Sequence, residues 1–194
     1  MLRDEHDLND KDRAELMHYL STAYPSAGAD ALVRLLGSAS IDDLDKLNGG
    51  RRSVVWALEK LVWLPETFER SAKLLLALAE AENERYSNNA TGIWNQLFRP
   101  LLSGTAVPAL ERLSVLERVL TSSEQSERRR ELALEALMHV FDSHVSRGTV
   151  MDSLGGKPLP PEWHPSSNKE LLTAIQRAFQ MLGEAVGGVD RHLA

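Results

Sequence analysis

Three prolines constrain this chain more than any other feature. Tyr24-Pro25, Leu64-Pro65 and Val107-Pro108 each precede a run of helically spaced apolar residues, and the prolines stand 40 and 43 residues apart. Proline suits the first helical position, where its missing N–H would have no intrahelical partner anyway. Each proline therefore marks the turn inside a helical hairpin. An interval of about 40–47 residues is that of stacked hairpins of the HEAT or armadillo kind. The segments between the prolines are not clearly self-similar, so an irregular helical bundle with proline at its helix starts is the alternative.

The apolar spacing is helical along nearly the whole chain. Val54, Leu58 and Leu61 recur at i, i+4 and i+7, and Phe68, Ala72, Leu75, Leu76 and Ala79 continue the pattern after Pro65. Ile93, Leu97 and Leu101 share one face, and Trp94, Phe98 and Leu102 share another. Further stripes follow at Leu110–Leu120, Leu134–Phe141 and Leu171–Leu182, while strict alternation over strand lengths is absent. The fold class expected is all-α: stacked antiparallel helical hairpins, an α-solenoid, over residues 1–146. The stretch "RGTVMDSLGGKPLPPEWHPSSN" then brings glycines and four prolines together, so 147–166 reads as a long Gly/Pro-rich loop with a polyproline-like end. Trp163 between the prolines is its expected anchor. A last helix, capped by Ser166 or Ser167 and ended by Gly187-Gly188, packs on the same domain within 167–194.

Composition narrows the function classes. Hydrophobic residues at 43% support a packed core, and a net charge of −6 disfavours general affinity for nucleic-acid phosphates. With no cysteine, disulfides, thiol catalysis and thiolate zinc sites are excluded. The longest apolar run, 74–79, is far short of the roughly 18 residues a membrane span requires. The charged opening "MLRDEHDLNDKDRAEL" has no apolar centre of a signal peptide, so a cytoplasmic location is expected.

The six residues Ser87-Asn88-Asn89-Ala90-Thr91-Gly92 interrupt an apolar helical run. Asn88 and Asn89 tolerate left-handed backbone angles and can terminate a helix ending near Tyr86, and Thr91 can cap the next one. The segment reads as a corner, with a binding loop as a second reading. Asn89-Ala90-Thr91 also spells an N-glycosylation acceptor, which requires secretion. Upstream, Glu80 and Glu84 are spaced to share a helix face, as a metal-binding or acid/base pair would, although no His or Asp completes the set; a solvated acidic face is the simpler reading. Arg128, Arg129 and Arg130 lie among Glu124, Glu127, Glu131 and Glu135 and read as a salt-bridged face. His139 and His144 are five apart, no HExxH or G-x-S-x-G occurs, and "GGKP" at 155–158 lacks the spacing of a phosphate loop. No catalytic, cofactor or metal residue is assigned. Trp56 and Trp63, one heptad apart, could with Trp94 and Trp163 form a surface for a partner, or pack in the core.

The segments "RRSVVWALEKLVWLPETFERSAKLLLALAEAENERYSNNATGIWNQLF", "LLSGTAVP" and "GGKPLPPEWHP", in that order, resemble the helical region downstream of the NTPase module in bacterial STAND-type NTPases, a group that includes antiphage defence proteins. The resemblance spans residues 30 to 165. In that family the NTPase module oligomerises when a C-terminal helical-repeat sensor binds its trigger, and an N-terminal effector then acts. This chain has no Walker A sequence, so it resembles the sensor-side helices alone, as a fragment of a longer protein or a stand-alone relative. The family's catalytic residues have no counterparts here. The resemblance implies recognition by a helical surface of a protein, whether a phage or host trigger or the adjacent domains of a longer NTPase. Two other readings stand beside it: a small helical ligand- or metal-binding domain using the acidic helix 80–84 and the Asn88-Asn89 corner, whose polar residues are Asn88, Asn89 and Thr91, and a homodimerising structural domain that buries Trp56 and Trp63.

Overall fold

A computed structural model describes residues 5–142 and 153–192 of the chain, with side chains through 185. The fold is all-α. Nine α-helices lie among the described residues, accompanied by two 3-10 turns (Glu5–Asn9 and His139–Phe141) and one two-stranded hairpin. In chain order the helices are α1 (Lys11–Ala23), α2 (Pro25–Leu36), α3 (Ile41–Asp45), α4 (Arg51–Leu61), α5 (Pro65–Glu80), α6 (Ala90–Gln96), α7 (Ala109–Thr121), α8 (Glu127–Met138) and α9 (Asn168–His192).

The prolines act as their chemistry requires. Pro25 and Pro65 occupy the first turns of α2 and α5, and Pro108 precedes α7 as its N-cap residue. Helix α1 packs on α2 and α4 on α5, and α1 also packs on α4 and α2 on α5. After Pro108 the order changes: α7 pairs with α8 and α9, and α5 packs on α6 and α8. Other starts use polar caps. Asp10 accepts from the Arg13 amide, Ser126 accepts from the Arg129 amide, and Ser40 with Asp43 forms a reciprocal capping box. Ser167 accepts from the Glu170 amide while the Glu170 carboxylate reaches back to Ser166, which fixes the start of α9.

One continuous core runs from Leu8 and Met17 through Leu58, Leu75 and Trp94 to Leu116, Leu137, Ala178 and Met181. Its contributors on α4 and α5 follow the apolar spacing of the sequence: Val54, Leu58 and Leu61, then Phe68, Ala72, Leu75, Leu76 and Ala79 are all buried. Two arginines are enclosed with them, Arg51 and Arg112.

Two details differ from the sequence reading. Part of the expected 147–166 loop is a short β-hairpin, with β1 (Ser153–Leu154) antiparallel to β2 (Lys157–Pro158). Gly155 and Gly156 turn it with φ of +62° and +69°. Positive φ at both central residues is what a two-residue hairpin turn of the right twist needs, and glycine adopts it without a Cβ clash. Residues 147–152 and His144 lie outside the described residues. At the C-terminus, α9 continues through Gly187 and Gly188 rather than stopping there. A glycine inside a helix costs about 1 kcal/mol relative to alanine, but it ends a helix only when it takes the left-handed conformation of a C-cap.

Candidate partner-binding surface

The polar corner is made by the backbone ends it has to satisfy. Helix α5 stops at Glu80, and residues 82–85 belong to no regular element, so Glu80 and Glu84 do not share a helix face. The stop is held by Arg51, the first residue of α4, which is fully buried. Its guanidinium donates to the Leu44, Leu78 and Ala81 carbonyls at 2.8, 2.6 and 2.8 Å. A cation at the carbonyl end of a helix is favoured both by the unpaired acceptors and by the macrodipole. That interaction ends α5 at Glu80, six residues before the end near Tyr86 suggested by sequence spacing.

The two carboxylates beyond the stop are turned inward. Glu82 accepts from the Thr91 amide at 3.0 Å and the Thr91 hydroxyl at 3.3 Å, and lies 3.4 Å from Arg51. Glu84 accepts from the Tyr86 hydroxyl. Burial, reinforced by that hydrogen bond, pushes the Tyr86 phenol up to about 12. Glu80 pairs with Arg129 of α8 and also accepts from the Ser126 hydroxyl, tying α5 to the first turn of α8. Asn89, not Thr91, caps α6: its side-chain oxygen accepts from the Gly92 amide at 2.9 Å and its Nδ2 donates to the Glu84 carbonyl at 2.8 Å. Asn88 is exposed. The corner is thus a helix junction whose polar groups are engaged with one another. Among the described residues no three His, Asp or Glu side chains converge as a metal set would require.

The four tryptophans separate. Trp94 is fully buried, lies edge-on to Phe98 with centroids 4.8 Å apart and donates to the Leu132 carbonyl at 3.3 Å, so it belongs to the core and not to a partner surface. Trp56 is 38% exposed and lies near Arg52, whose guanidinium carbon is 5.8 Å from the Trp56 ring and 4.6 Å from the Tyr86 ring. Trp63 and Trp163, both half-buried, are brought to the same edge of the molecule by the segment that follows β1.

That segment is a strap over the helix turns. The Gly155 amide donates to the Thr22 carbonyl at 2.7 Å, just before Pro25. The Trp63 indole donates to the Pro160 carbonyl at 2.9 Å, just before Pro65. The Trp163 amide donates to the Thr105 carbonyl at 2.9 Å, just before Pro108. Residues 155, 160 and 163 therefore visit the three proline-marked turns in chain order. A fourth bond, from the Gly104 amide to Glu162 at 2.7 Å, secures the loop in which Leu102 is held at a φ of 51°. Beneath the Trp163 ring, 5.3 Å from its centroid, lies the Arg112 guanidinium, which donates to the Leu97 and Arg99 carbonyls. Burial pushes Arg112 down to about 9, so it remains a cation at neutral pH. Its Nε and Nη2 have no hydrogen-bond partner among the described residues, which leaves the aromatic face of Trp163 as a principal electrostatic partner.

From Tyr24, two residues past the strap's first tie at Thr22, along to Arg13 and Arg34, α1 and α2 leave an open apolar groove of about 510 Å³. Leu16, Leu20 and Tyr24 form one wall and are 56%, 45% and 68% exposed. Ala27, Gly28 and Ala31 form the other, and Met17 and Leu35 underlie it. The helices can meet this closely because Gly28 lies against Ser21; a Cβ there would stand 2.5 Å from the Ser21 Cα. The spacing of Leu16, Leu20 and Tyr24 was available in the sequence, but a four-residue apolar step does not by itself distinguish a ridge facing the core from one facing solvent.

Among the described residues no helix is long and apolar enough to cross a membrane. Comparison with protein-family models, curated proteins and solved structures finds no match.

Proposed function

We propose that this chain is a non-catalytic protein-interaction module, the sensor or regulatory helical region of a bacterial STAND-type NTPase, acting in the cytoplasm through a HEAT-like stack of hairpins. The observation that carries the interaction reading is the exposed α1–α2 groove, where three large apolar side chains stand open to solvent along one ridge. Contiguous exposed apolar surface of this kind is characteristic of a site that another protein covers. Packing of α1 on α4 and α2 on α5 supports the stacked-hairpin description. The STAND assignment rests on the ordered resemblance of residues 30 to 165, and the trigger is a phage or host protein or a neighbouring domain of the NTPase itself.

The test uses the purified chain and its Leu20→Asp variant as paired baits in lysates of phage-infected and uninfected bacteria, with mass spectrometry as readout. One phage protein retained at near-stoichiometric level by the native chain, and lost with the variant, supports a sensor. A host NTPase retained in the same groove-dependent way supports a regulatory subunit. Equal recovery by both baits, with both equally folded by circular dichroism, refutes the groove as the interaction site.

A further inference from the structure

We propose that the α1–α2 groove takes an amphipathic helix of a partner protein whose apolar face is flanked at one end by acidic side chains, an inference that rests on the interaction reading above. The shape points to a helix. Leu16, Leu20 and Tyr24 make a ridge with a four-residue step, and Ala27 and Ala31 across from them make a low wall with the same step. A third helix packs its own side-chain row into such a furrow. From Leu16 to Tyr24 the ridge rises about 12 Å at 1.5 Å per residue, enough for about two turns of a docked helix.

Charge selects the kind of helix. The chain carries a net charge of −6, yet the side chains lining this groove include two arginines and no carboxylate. Arg13 near the start of α1 and Arg34 near the end of α2, each far along its helix from the Tyr24 joint, line the groove together. Arg13 pairs with Asp7 at one side, and Arg34 is exposed with no salt-bridge partner among the described residues. The nearby carboxylates are engaged away from the groove, Asp30 with Arg70 at 3.5 Å and Glu15 with the Tyr19 hydroxyl at 3.2 Å. Tyr24 at the closed end supplies an aromatic anchor of the type that dominates helix-in-groove contacts.

The experiment measures binding of two fluorescent 16-residue helical peptides to the full chain by anisotropy. Both present leucines at i, i+4, i+7 and i+11; one carries two glutamates at each end and the other two lysines at each end. The expected result is that the glutamate peptide binds roughly fivefold more tightly at low salt, as for two rim ion pairs of ordinary strength, and that this preference shrinks as salt is raised. Arg34→Glu should erase the preference while leaving the lysine peptide's binding no weaker, and Leu20→Asp should abolish binding of both. Equal binding of the two peptides, abolished by Leu20→Asp, overturns the acidic occupant and leaves the interaction reading standing. No peptide binding, with a dimer in sedimentation that Leu20→Asp dissociates, shows a second copy in the groove and overturns the proposal. Absence of peptide binding, dimer and groove-dependent partner overturns both.

Discussion

The strap makes a quantitative prediction, because its ties fall on three separate turns but on one short segment. In Trp163→Ala the half-buried indole is lost from the core edge and from its position over Arg112. Half the area of a buried aromatic, roughly 100 Å², at about 25 cal/mol per Å² gives about 2.5 kcal/mol, and the cation–π contact adds about 0.5–1 kcal/mol. The expected loss is about 3 kcal/mol, or a fall in Tm of roughly 6–12 °C for a chain of this size. Trp63→Phe keeps an aromatic ring and removes only the indole donor to Pro160, for about 1 kcal/mol. If the strap holds as a unit, the two changes do not add: once Trp163→Ala has released the segment, Trp63→Phe costs only a few tenths of a kcal/mol more. Urea denaturation of the two single variants and the double variant completes the cycle. Hydrogen exchange at Gly155 and Trp163 should accelerate together in either single variant. Additive losses, with Gly155 protection untouched by Trp163→Ala, would refute the cooperative strap and reduce it to separate contacts.

Other variants address the corner, the buried cation and pH. Asn89→Ala should lower stability by about 2 kcal/mol, about 1 from the helix cap and about 1 from the bond to the Glu84 carbonyl, whereas Asn88→Ala should stay within about 0.5 kcal/mol; equal effects in thermal melts would contradict the capping role. Arg51→Met leaves three carbonyls at the end of α5 and in α3 without their donor, and denaturant titration should show a loss of about 3–5 kcal/mol. His18, whose pKa is lowered by burial and then by Lys60 beside it, is neutral in both states above the ordinary value of 6.5. As pH falls through 6.5 the unfolded chain takes the proton first, so stability drops. The Tm of the native chain should therefore fall further between pH 7.5 and 5.5 than that of His18→Gln, and parallel curves would contradict this. Glu59, raised by burial, acts in the opposite sense, losing stability as pH rises from the carboxylate range, and is common to both proteins.

Helix content and the proline-marked starts were legible because they follow from local chemistry: periodicity fixes which side of a helix is buried, and proline fixes where one begins. Trp94 and Trp56 show where that legibility ends. Both fit helical faces, but Trp94 is enclosed by α8 and Phe98 while Trp56 stands partly open to solvent beside Arg52. The α5 stop at Glu80 was hidden for a similar reason. Its cause is Arg51, distant in sequence, whose guanidinium satisfies the carbonyls that a longer helix would have bonded internally. The strap was legible as an anchored loop through Trp163, whereas its contacts at Thr22 and Trp63 depend on which turns lie side by side.

The arrangement divides the molecule into a fastened edge and an open one. Along the fastened edge, the Gly/Pro segment crosses the turns before Pro25, Pro65 and Pro108, and its proline content suits the task because an already extended backbone loses little freedom on binding. Holding the turns together there resists splaying of α1–α2 from α4–α5. A groove whose walls are both parts of α1–α2 keeps its width only if that pair is rigid, and Gly155 on Thr22 is the strap's contact with it. Releasing the strap should therefore weaken helix binding in the groove without altering any groove residue. Gly155→Pro, which removes the donor to Thr22 and is incompatible with the +62° φ at that position, is the direct variant. Its expected effect is a several-fold loss of affinity for the glutamate-ended peptide, arising in a faster off-rate. Unchanged affinity in a variant whose strap exchanges freely would separate the two edges and show that the groove is rigid without the strap.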